Sequence, residues 1–391
     1  MATKILVFFI SVLIINWTGI NRENTLTYSN FKVVADGFDN RSKANCNASN
    51  GLIIPAGKMK TARAAHTATV LKNGKVLIVG GFAKKTLSTA EIYDPVPRKF
   101  KDAGQMSVAR SGHSATLLPD GKVLIAGGYN GTYLSSTEIF DPQAETFSDG
   151  FAMITARSGH TATILNNGKI LFAGGVGVGW SFLQSAEVYN TQTKTFSSTG
   201  SLTTARESHT ATLLKNGTVL ITGGHKDRRA NITIYSSAEI YDPTSGKFGL
   251  VGKMMIKRHK HDAVKLADGR VLISGGSDER DSKGTYSSVE LYDPVLSSFE
   301  FIGNMNMNRY KHNGTVILLP NGNILIAGGA DKAEIYKYAS RKFEIVPGSL
   351  GSKRLFSCAA LLQNGDVLII GGYNENIEAS ENAWIYSYKR Q

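Results

Sequence analysis

The chain has 391 residues, in which 44 lysines and arginines outnumber 31 aspartates and glutamates, giving a formal net charge of +13. This excess favours anionic partners, such as acidic glycans, lipid headgroups or an acidic protein surface. The basic residues are scattered along the chain without a long basic run or a nucleic-acid-binding motif. We therefore do not expect the protein to bind nucleic acid.

The first fifty residues differ in composition from the rest. Residues 1–20 contain an early Lys4 and then an apolar run from Ile5 to Ile15, which is typical of an export signal. The alternative is an uncleaved membrane anchor that extends to Ile20. Residues 21–50 are rich in Asn, Ser and Thr and are expected to form a linker or a partly ordered arm. We expect a secreted or cell-envelope protein.

Residues 51–391 repeat one phrase seven times. Its first copy is HTATVLKNGKVLIVGG at residues 66–81, where an Asn-Gly pair lies between two apolar runs and a Gly-Gly pair follows. The second glycines of the seven pairs are Gly81, Gly128, Gly175, Gly224, Gly276, Gly329 and Gly372. Their spacing of 43 to 53 residues indicates one repeated supersecondary unit and not two or three unrelated domains.

Each unit predicts four β-strands, which we name a to d. In the first unit, strand a covers residues 66–71, strand b 75–80 and strand c 90–95, and strand d surrounds Phe100. The Asn-Gly between strands a and b predicts a type I′ hairpin turn, whose two central residues have positive φ. Strand b is apolar at every central position, so both of its faces should be covered. The sequence therefore predicts an all-β protein, a seven-bladed β-propeller with four-stranded antiparallel blades around a channel.

Three phrases carry a resemblance to a known family. The glycine pair, the Ala-Glu-Ile-Tyr-Asp-Pro phrase at 90–95 and the Ala-Arg-x-x-His phrase at 62–66 resemble kelch repeats, of the type also found in the central domain of galactose oxidase. The resemblance covers nearly the whole chain from about Gly51 to Tyr388. It implies a propeller, and its galactose oxidase branch uses copper held by histidines and a cysteine-linked tyrosine.

The cysteines argue against carrying the oxidase activity over. The sequence has only Cys46, ahead of the propeller, and Cys358, on the last inner strand, so no cysteine is expected in a loop that faces a tyrosine. Both thiols are expected to be unpaired. His225 and His259 would form a two-histidine metal site at best, and we expect no metal, no other cofactor and no catalytic residues. Sugar mutarotases on kelch propellers use Arg and Glu, but no such motif is readable here.

The last repeat predicts how the ring closes. In five repeats a Phe in strand d lies six residues before a Met or Leu, as Phe100 does before Met106, but the seventh repeat ends before such a Phe. Counting back six residues from Met59 gives Ile53. We therefore predict that the stretch around Ile53 forms the outermost strand of the last blade and removes an unpaired sheet edge.

Several polar residues recur in the repeats and are predicted to be structural. Each repeat has an Arg, six have a His three residues later with Ser357 in the seventh, and six have a Glu in strand c with Trp384 in the seventh. A residue present in every blade cannot mark one active site. We predict that the glycine pair leaves a trough in which Arg and Glu approach each other. The arginines are Arg63, Arg110, Arg157, Arg206, Arg258, Arg309 and Arg354.

The b–c loops are the parts that differ between blades, and variable loops on a rigid scaffold often carry binding residues. The predicted binding residues of blades three to five are Trp180, Phe182, His225, Arg228, Arg229 and Tyr286. Tyr129, Tyr133 and Tyr373 are predicted near the channel mouth. An exposed Trp beside an Arg pair is typical of an interaction hot spot, and the alternative is that Trp180 caps its own loop.

These patterns favour a monomeric, non-catalytic scaffold that binds a protein or glycan partner through the b–c loops. The net charge favours an acidic partner. The alternative is an enzyme, oxidase-like or mutarotase-like, that acts on a small carbohydrate at the channel mouth. The acidic run Asp278, Glu279 and Asp281, interleaved with Arg280 and Lys283, is interpreted as a solvated charged loop. A membrane contact is expected only through the N-terminal segment.

Overall fold

The computed structural model describes residues 51–388. It confirms an all-β ring of seven four-stranded antiparallel sheets, in each of which the strand order is a–b–c–d. The innermost strands contact one another in cyclic order around the central channel. The predicted signal or anchor at 1–20, the linker at 21–50 and Cys46 lie outside the described residues. Within the described part of the chain, no helix is long and apolar enough to cross a membrane.

The strands are short, and we give them from blade one to blade seven. Strands a are Thr67–Val70, Ser114–Leu117, Thr161–Ile164, Thr210–Leu213, Asp262–Lys265, Val316–Leu318 and Cys358–Leu361. Strands b are Val76–Val79, Val123–Ala126, Ile170–Ala173, Val219–Thr222, Val271–Ser274, Ile324–Ile326 and Val367–Ile370. Strands c are Thr89–Asp94, Thr137–Asp141, Ala186–Asn190, Ser237–Asp242, Tyr286–Asp293, Glu334–Lys337 and Asn382–Ser387. Strands d are Lys99–Gln105, Thr146–Asp149, Thr195–Ser198, Lys247–Lys253, Ser298–Arg309, Lys342–Ile345 and, in blade seven, Leu52–Lys58.

Two b–c loops contain small hairpins of their own. Val176–Gly177 pairs with Ser181–Phe182 in blade three, and His225–Lys226 pairs with Thr233–Ile234 in blade four. Short 3₁₀ turns cover Val178–Trp180, Arg229–Asn231 and Asp281–Lys283. The longest variable loops are therefore ordered by local backbone pairing.

The a–b turns differ from the prediction. Among residues 72–74 only Gly74 has a positive φ, of 81°, so the turn is not type I′. Gly74 N–H donates to Leu71 O at 2.9 Å, and Leu71 N–H donates to Lys75 O at 2.8 Å. This is a type I turn followed by one left-handed residue. Asn73 instead accepts a bond from Lys75 N–H through its side chain at 3.1 Å, and only the glycine needs the left-handed conformation.

The apolar core lies between blades. All four residues of Val76–Val79 are fully buried, which confirms that both faces of strand b are covered. Its side chains alternate between the two neighbouring blades, because Val76 and Ile78 pack with the blade-seven residues while Leu77 and Val79 pack with blade two. The ring is therefore held together by seven similar interfaces.

Buried ion pairs occupy the trough beside the glycine pairs, as predicted. Arg63 Nη2 lies 2.9 Å from Glu91 Oε1, and Arg63 Nη1 donates to Gly80 O at 2.8 Å. A Cβ on Gly80 would lie 2.6 Å from Arg110 O of the next blade, so a side chain has no room there. The pairs are Arg63–Glu91, Arg110–Glu138, Arg157–Glu187, Arg206–Glu239, Arg258–Glu290 and Arg309–Glu334. In blade seven the Arg354 guanidinium instead stacks on the Trp384 ring at 4.9 Å.

The repeat histidines connect neighbouring blades. His113 Nε2 lies 3.1 Å from Thr67 Oγ1, and His209 Nε2 lies 3.1 Å from Thr161 Oγ1. Burial lowers the pKa of His209 to about 3. The Cys358 thiol donates to the carbonyl of His66 at 3.0 Å across the blade-seven to blade-one junction, and burial raises the pKa of this thiol.

The N-terminal strand closes the ring where the spacing placed it. Leu52–Lys58 pairs antiparallel with Asn382–Ser387, and Ile53 lies opposite Tyr386. In blade one the corresponding partners are Phe100 and Tyr93. Ile53 is therefore the structural counterpart of the strand-d phenylalanine, and blade seven is built from both ends of the described chain.

Candidate functional site

Three positions in each blade surround the channel mouth on the face that carries the b–c loops. Two of them are the residues immediately before the repeat His, and the third follows the glycine pair. In blade four they are Glu207, Ser208 and His225, and Glu207 and His225 exchange two backbone hydrogen bonds of 2.9 Å. We call these twenty-one places the mouth positions. Their side chains vary between blades, whereas the backbone bridge recurs in blades one to five and in blade seven.

The residue directly before the repeat His is left-handed in every blade. Its φ is 54° at Lys260 and 52° at Lys311. The same backbone links blades around the axis, since Lys311 N–H donates to Lys260 O at 2.9 Å and Lys260 N–H donates to Ser208 O at 3.1 Å. Two lysines are thereby brought side by side at the mouth by blades five and six.

One carboxylate lies between these lysines. Lys260 Nζ donates to Asp281 Oδ1 at 2.6 Å, and Lys311 Nζ lies 3.8 Å from Asp281 Oδ2. Burial lowers the pKa of Lys260 to about 8, against the opposing effect of Asp281. Burial also acts to raise the pKa of Asp281, but the two lysines hold it below its usual value. The interpretation of this acidic run as a solvated loop was wrong for Asp281, whose side chain is only 19% exposed, and for Asp278, which is buried.

Two histidines lie beside the lysines. His225 Nδ1 and His259 Nδ1 are 3.2 Å apart, and both rings are buried. His225 Nε2 lies 3.7 Å from Glu207 Oε2, and His259 Nε2 lies 3.9 Å from Asp281 Oδ1. Burial lowers the pKa of both histidines well below the ordinary value, with further lowering from neighbouring cationic groups. The pair is therefore neutral at physiological pH.

The other side of the mouth is apolar and aromatic. Ala64, Ala65, Tyr310, Leu355, Phe356 and Tyr373 form one buried cluster there. Lys311 connects it to the charged side, because its Nζ donates to Tyr373 Oη at 3.0 Å and lies 4.9 Å from the Tyr310 ring centre. Burial raises the pKa of Tyr310 to about 12, so this phenol is protonated. The mouth thus has a charged half and an apolar half.

An aromatic and cationic patch lies beside the mouth, and we call Tyr133, Trp180 and Arg228 the loop patch. The Arg228 guanidinium lies 4.3 Å from the Trp180 ring centre, and the Tyr133 ring meets Trp180 edge-on at 5.9 Å. Trp180 is 43% exposed. Arg228 Nη2 also lies 3.4 Å from Glu207 Oε2. The patch therefore combines loops of blades two, three and four and is tied to the charged half of the mouth.

The structure brings some of the predicted binding residues together and leaves others apart. Trp180 and Arg228 come together. The half-buried Phe182 has its ring centre 5.8 Å from the Arg228 guanidinium. The Trp180 ring contacts Tyr133 and Arg228, which belong to the b–c loops of the two neighbouring blades. Tyr286 is half-buried, and its ring centre lies 5.7 Å from the Arg258 guanidinium. The backbone of Arg229 begins a short 3₁₀ turn, and its side chain lies outside the described part.

His225, Tyr129 and Tyr373 are buried mouth residues rather than exposed loop residues. Each directly follows a glycine pair, where the backbone turns inward and forms a bridge to the preceding inner segment. Tyr129 and Tyr373 do lie at the mouth, but their rings pack against Tyr133 and Phe356 respectively.

Sequence reasoning did not single out Glu207, Lys260 and Lys311. They stand one or two residues before the repeat His, inside a phrase that was assigned to structure. A signal was available, because the residue before the His or Ser is Ala, Gly, Gly, Ser, Lys, Lys and Phe along the seven repeats. Variation in charge at one place of a regular repeat could have identified the mouth.

A copper centre of the kind implied by the galactose oxidase resemblance does not fit the mouth. No group of three or more His, Cys, Asp or Glu suited to a metal occurs in residues 51–388. The thiol of Cys358 donates a hydrogen bond to His66 O. Tyr373 accepts a hydrogen bond from the Lys311 ammonium, and a second cation there would be repelled.

Comparisons with known proteins agree with this architecture. The family model described as "Kelch motif" matches residues 63–107 and 109–150. Kelch-like protein 23 of Homo sapiens and of Mus musculus are each 36% identical to the chain over 75 residues, which is 19% of this chain and 13% of those proteins. The matched segment thus spans only a small part of these curated relatives.

A solved structure extends the likeness to the whole ring. A fungal alcohol oxidase of the AA5 family, in complex with copper, superposes with a TM-score of 0.65 at 16% identity, covering 86% of this chain and 76% of that one. At this identity the likeness concerns the fold. With seven four-stranded blades and recurring Arg–Glu pairs beside glycine pairs, the chain is a seven-bladed β-propeller that carries kelch motifs at 63–107 and 109–150.

Proposed function

We propose that this propeller is a non-catalytic scaffold that binds a protein partner through the loop patch. The observation that carries the proposal is the exposed Trp180 ring, stacked on Arg228 at 4.3 Å and supported edge-on by Tyr133. Trp, Tyr and Arg are the residues that most often dominate the binding energy of protein interfaces. The patch offers all three on one small surface.

The side chains of the loop patch are already held in place. Arg228 lies between the Trp180 ring and the Glu207 carboxylate, so little side-chain freedom remains to be lost on binding. Val178 extends the patch as an exposed apolar neighbour of Trp180. A partner would place an apolar side chain on this surface and an acidic group beside the guanidinium.

The charge and the predicted export signal define the partner more closely. The net charge of +13 favours an acidic partner. Because residues 1–20 predict export or an envelope anchor, we propose that the partner is an extracellular or envelope protein and that the propeller acts as a monomer. A glycan ligand, stacked on Trp180, is the alternative within the same surface.

The test is an affinity measurement on the full-length protein. A partner is captured from envelope or extracellular extract, purified, and titrated against the parent and against Trp180→Ala and Arg228→Ala by calorimetry, while a glycan array is probed in parallel. Loss of a hot-spot side chain of this kind costs about 2 kcal/mol or more, or roughly thirtyfold in Kd. Leu296→Ala, an exposed apolar residue in a c–d turn on the opposite face, is the matched control.

The affinities of the variants distinguish the loop patch from the opposite face of the ring. Binding that weakens in Trp180→Ala and Arg228→Ala but not in Leu296→Ala supports the loop patch. Equal affinity in all variants refutes it, and a partner that is lost only in Leu296→Ala would move the interface to the other face. A response confined to the glycan array would replace the protein partner by a glycan.

A second candidate is an enzyme that acts on a small carbohydrate at the channel mouth. It is favoured by the Lys260 ammonium, whose pKa is lowered to about 8 by burial, beside Asp281 and the histidine pair, since shifted titratable groups gather at catalytic sites. Anomer exchange and oxidation of common hexoses can be followed by NMR. Turnover by the parent that is lost in Lys260→Met would favour the enzyme.

A further inference from the structure

The charged half of the channel mouth contains more cationic than anionic groups. Lys260, Lys311 and Arg228 converge there, whereas the carboxylates are those of Glu207 and Asp281. With the two histidines neutral, the described side chains of this cluster carry one positive charge in excess even with Asp281 in place. A buried cation without a matching anion is costly, so the two lysines need an anion between them, either Asp281 or a ligand.

Asp281 reaches the lysines from a loop and not from the propeller framework. It begins the 3₁₀ turn Asp281–Lys283 in the b–c loop of blade five, and its φ is 52°. A non-glycine residue adopts this conformation only at some cost, which is smaller for Asp than for most residues. The bond of Asp281 to Lys260 offsets this strain, so the loop would be relieved if the carboxylate left the lysines.

The same loop has a second anchor outside the mouth. Asp278 accepts hydrogen bonds from Arg280 Nε at 2.9 Å and Arg280 Nη2 at 2.6 Å. Asp278 N–H also donates to Gly284 O at 3.0 Å. These bonds lie within the loop, so the loop can keep its own shape while Asp281 is replaced at the lysines.

Polar atoms at the mouth also lack partners within the described chain. Ser208 Oγ, His225 Nε2 and His259 Nε2 are buried without a hydrogen-bond partner in residues 51–388. Native proteins satisfy nearly all such atoms with protein, water or ligand. Their position beside the lysines points to a polar occupant of the mouth.

We propose that the channel mouth binds a small carboxylate ligand, and that Asp281 occupies the ligand's place on Lys260 and Lys311 in the unliganded protein. On binding, the ligand carboxylate replaces Asp281 between the two ammonium groups, and the blade-five loop moves away with its Asp278–Arg280 pair intact. The rest of the ligand faces the apolar half of the mouth, next to Phe356 and Tyr373.

The carboxylate could belong to an aromatic acid or to a sugar acid, and calorimetry on the full-length protein distinguishes the two. Phenylacetate and glucuronate are the probes, with phenylacetamide and glucose as their neutral counterparts. We expect at least one acid to bind and its neutral counterpart not to bind. Removal of one charged hydrogen-bond partner should weaken the acid about tenfold in Lys311→Met.

Asp281→Asn is the decisive variant, because it removes the internal competitor and keeps the side-chain size. We expect the acid to bind about tenfold more tightly to Asp281→Asn than to the parent. Glu279→Gln, in the same loop but exposed and paired with Lys257 instead of the mouth lysines, should bind like the parent. Circular dichroism establishes that each variant is folded, and Lys260→Gln replaces Lys311→Met if the latter is not.

Three results would overturn the proposal. The first is the absence of binding of both acids to the parent and to Asp281→Asn. The second is an unchanged affinity after either lysine is replaced, and the third is an affinity of Asp281→Asn that equals that of the parent. None of these results bears on the loop patch, whose variants are tested with a protein partner.

Discussion

Glu187→Ala tests the buried ion pairs that recur around the ring. The Glu187 carboxylate accepts bonds from Arg157 Nη2 at 2.7 Å, Arg157 Nε at 3.0 Å, and the backbone N–H groups of Ile154 at 2.7 Å and Thr155 at 3.4 Å. Both side chains are buried, and burial lowers the pKa of Arg157. After the substitution the guanidinium keeps only the oxygens of Gly174 and Ser185 as acceptors.

The expected cost follows from that environment. Removing one partner of a buried pair leaves an uncompensated charge and typically costs about 3–5 kcal/mol. In a domain of this size each kcal/mol lowers the melting temperature by roughly 2 °C, so Glu187→Ala should melt about 6–10 °C below the parent in differential scanning calorimetry. The double variant Arg157→Met, Glu187→Leu, which removes both charges, should recover most of the loss.

A surface pair provides the control for this experiment. Glu375 lies 2.5 Å from Lys353, and the two side chains are 69% and 49% exposed. Exposed pairs of this kind contribute about 0–1 kcal/mol, so Glu375→Ala should melt within roughly 2 °C of the parent. If Glu187→Ala melts as high as Glu375→Ala, the trough pairs do not stabilise the ring.

Three further predictions concern the same framework. Gly80→Ala should destabilise the fold by about 3 kcal/mol or more in urea unfolding, because the new Cβ would lie 2.6 Å from Arg110 O. Gly179 has a similar φ but open space around it, so Gly179→Ala should cost only about 1–2 kcal/mol, and equal costs for the two variants would contradict the steric argument. The pKa of His209 is lowered from 6.5 to about 3 in the folded protein, so between these pH values the unfolded chain binds one proton more than the folded one. The free energy of unfolding should therefore fall by about 1.4 kcal/mol per pH unit for this group as the pH drops below 6.5. His209→Gln should remove about one proton from this pH dependence, and an unchanged slope would argue against a neutral buried histidine. Ile53→Ala should cost about 2–5 kcal/mol in the same assay, and a midpoint equal to that of the parent would mean that the closing strand does not stabilise the ring.

The fold could be predicted because the same strand and turn pattern, with its glycine pair, recurs in all seven repeats. Spacing alone placed Ile53 opposite Tyr386, since a propeller blade fixes where the strand-d side chain must lie. The turn between strands a and b was predicted wrongly for a local reason. Asn-Gly occurs both in type I′ turns and in type I turns that are followed by a left-handed glycine. Which turn forms depends on the number of unpaired residues in the hairpin loop, and here the backbone bonds of Leu71 to Gly74 and Lys75 set that number.

The site was predicted only in part. Trp180 and Arg228 were singled out because they lie in loops whose sequence is distinctive. Their stacking on each other depends on how two adjacent blades bring their loops together. Lys260 and Lys311 lie 51 residues apart in sequence on consecutive blades, and they meet over Asp281. Such a meeting depends on the closed ring and is not visible in any single repeat.

The mouth positions show how a repeat can carry specificity without loss of stability. Their recurring bonds are made by the backbone, as between Ala64 N–H and Phe82 O at 2.9 Å and between Glu207 N–H and His225 O at the same distance. These backbone hydrogen bonds form whether the residue is Ala or Glu. A substitution at a mouth position therefore changes only the packing of that side chain and leaves the backbone bonds in place. The Arg–Glu pairs use side chains and therefore cannot vary in the same way. The charged half of the mouth in blades four to six is thus an independent feature added to a ring that would close without it.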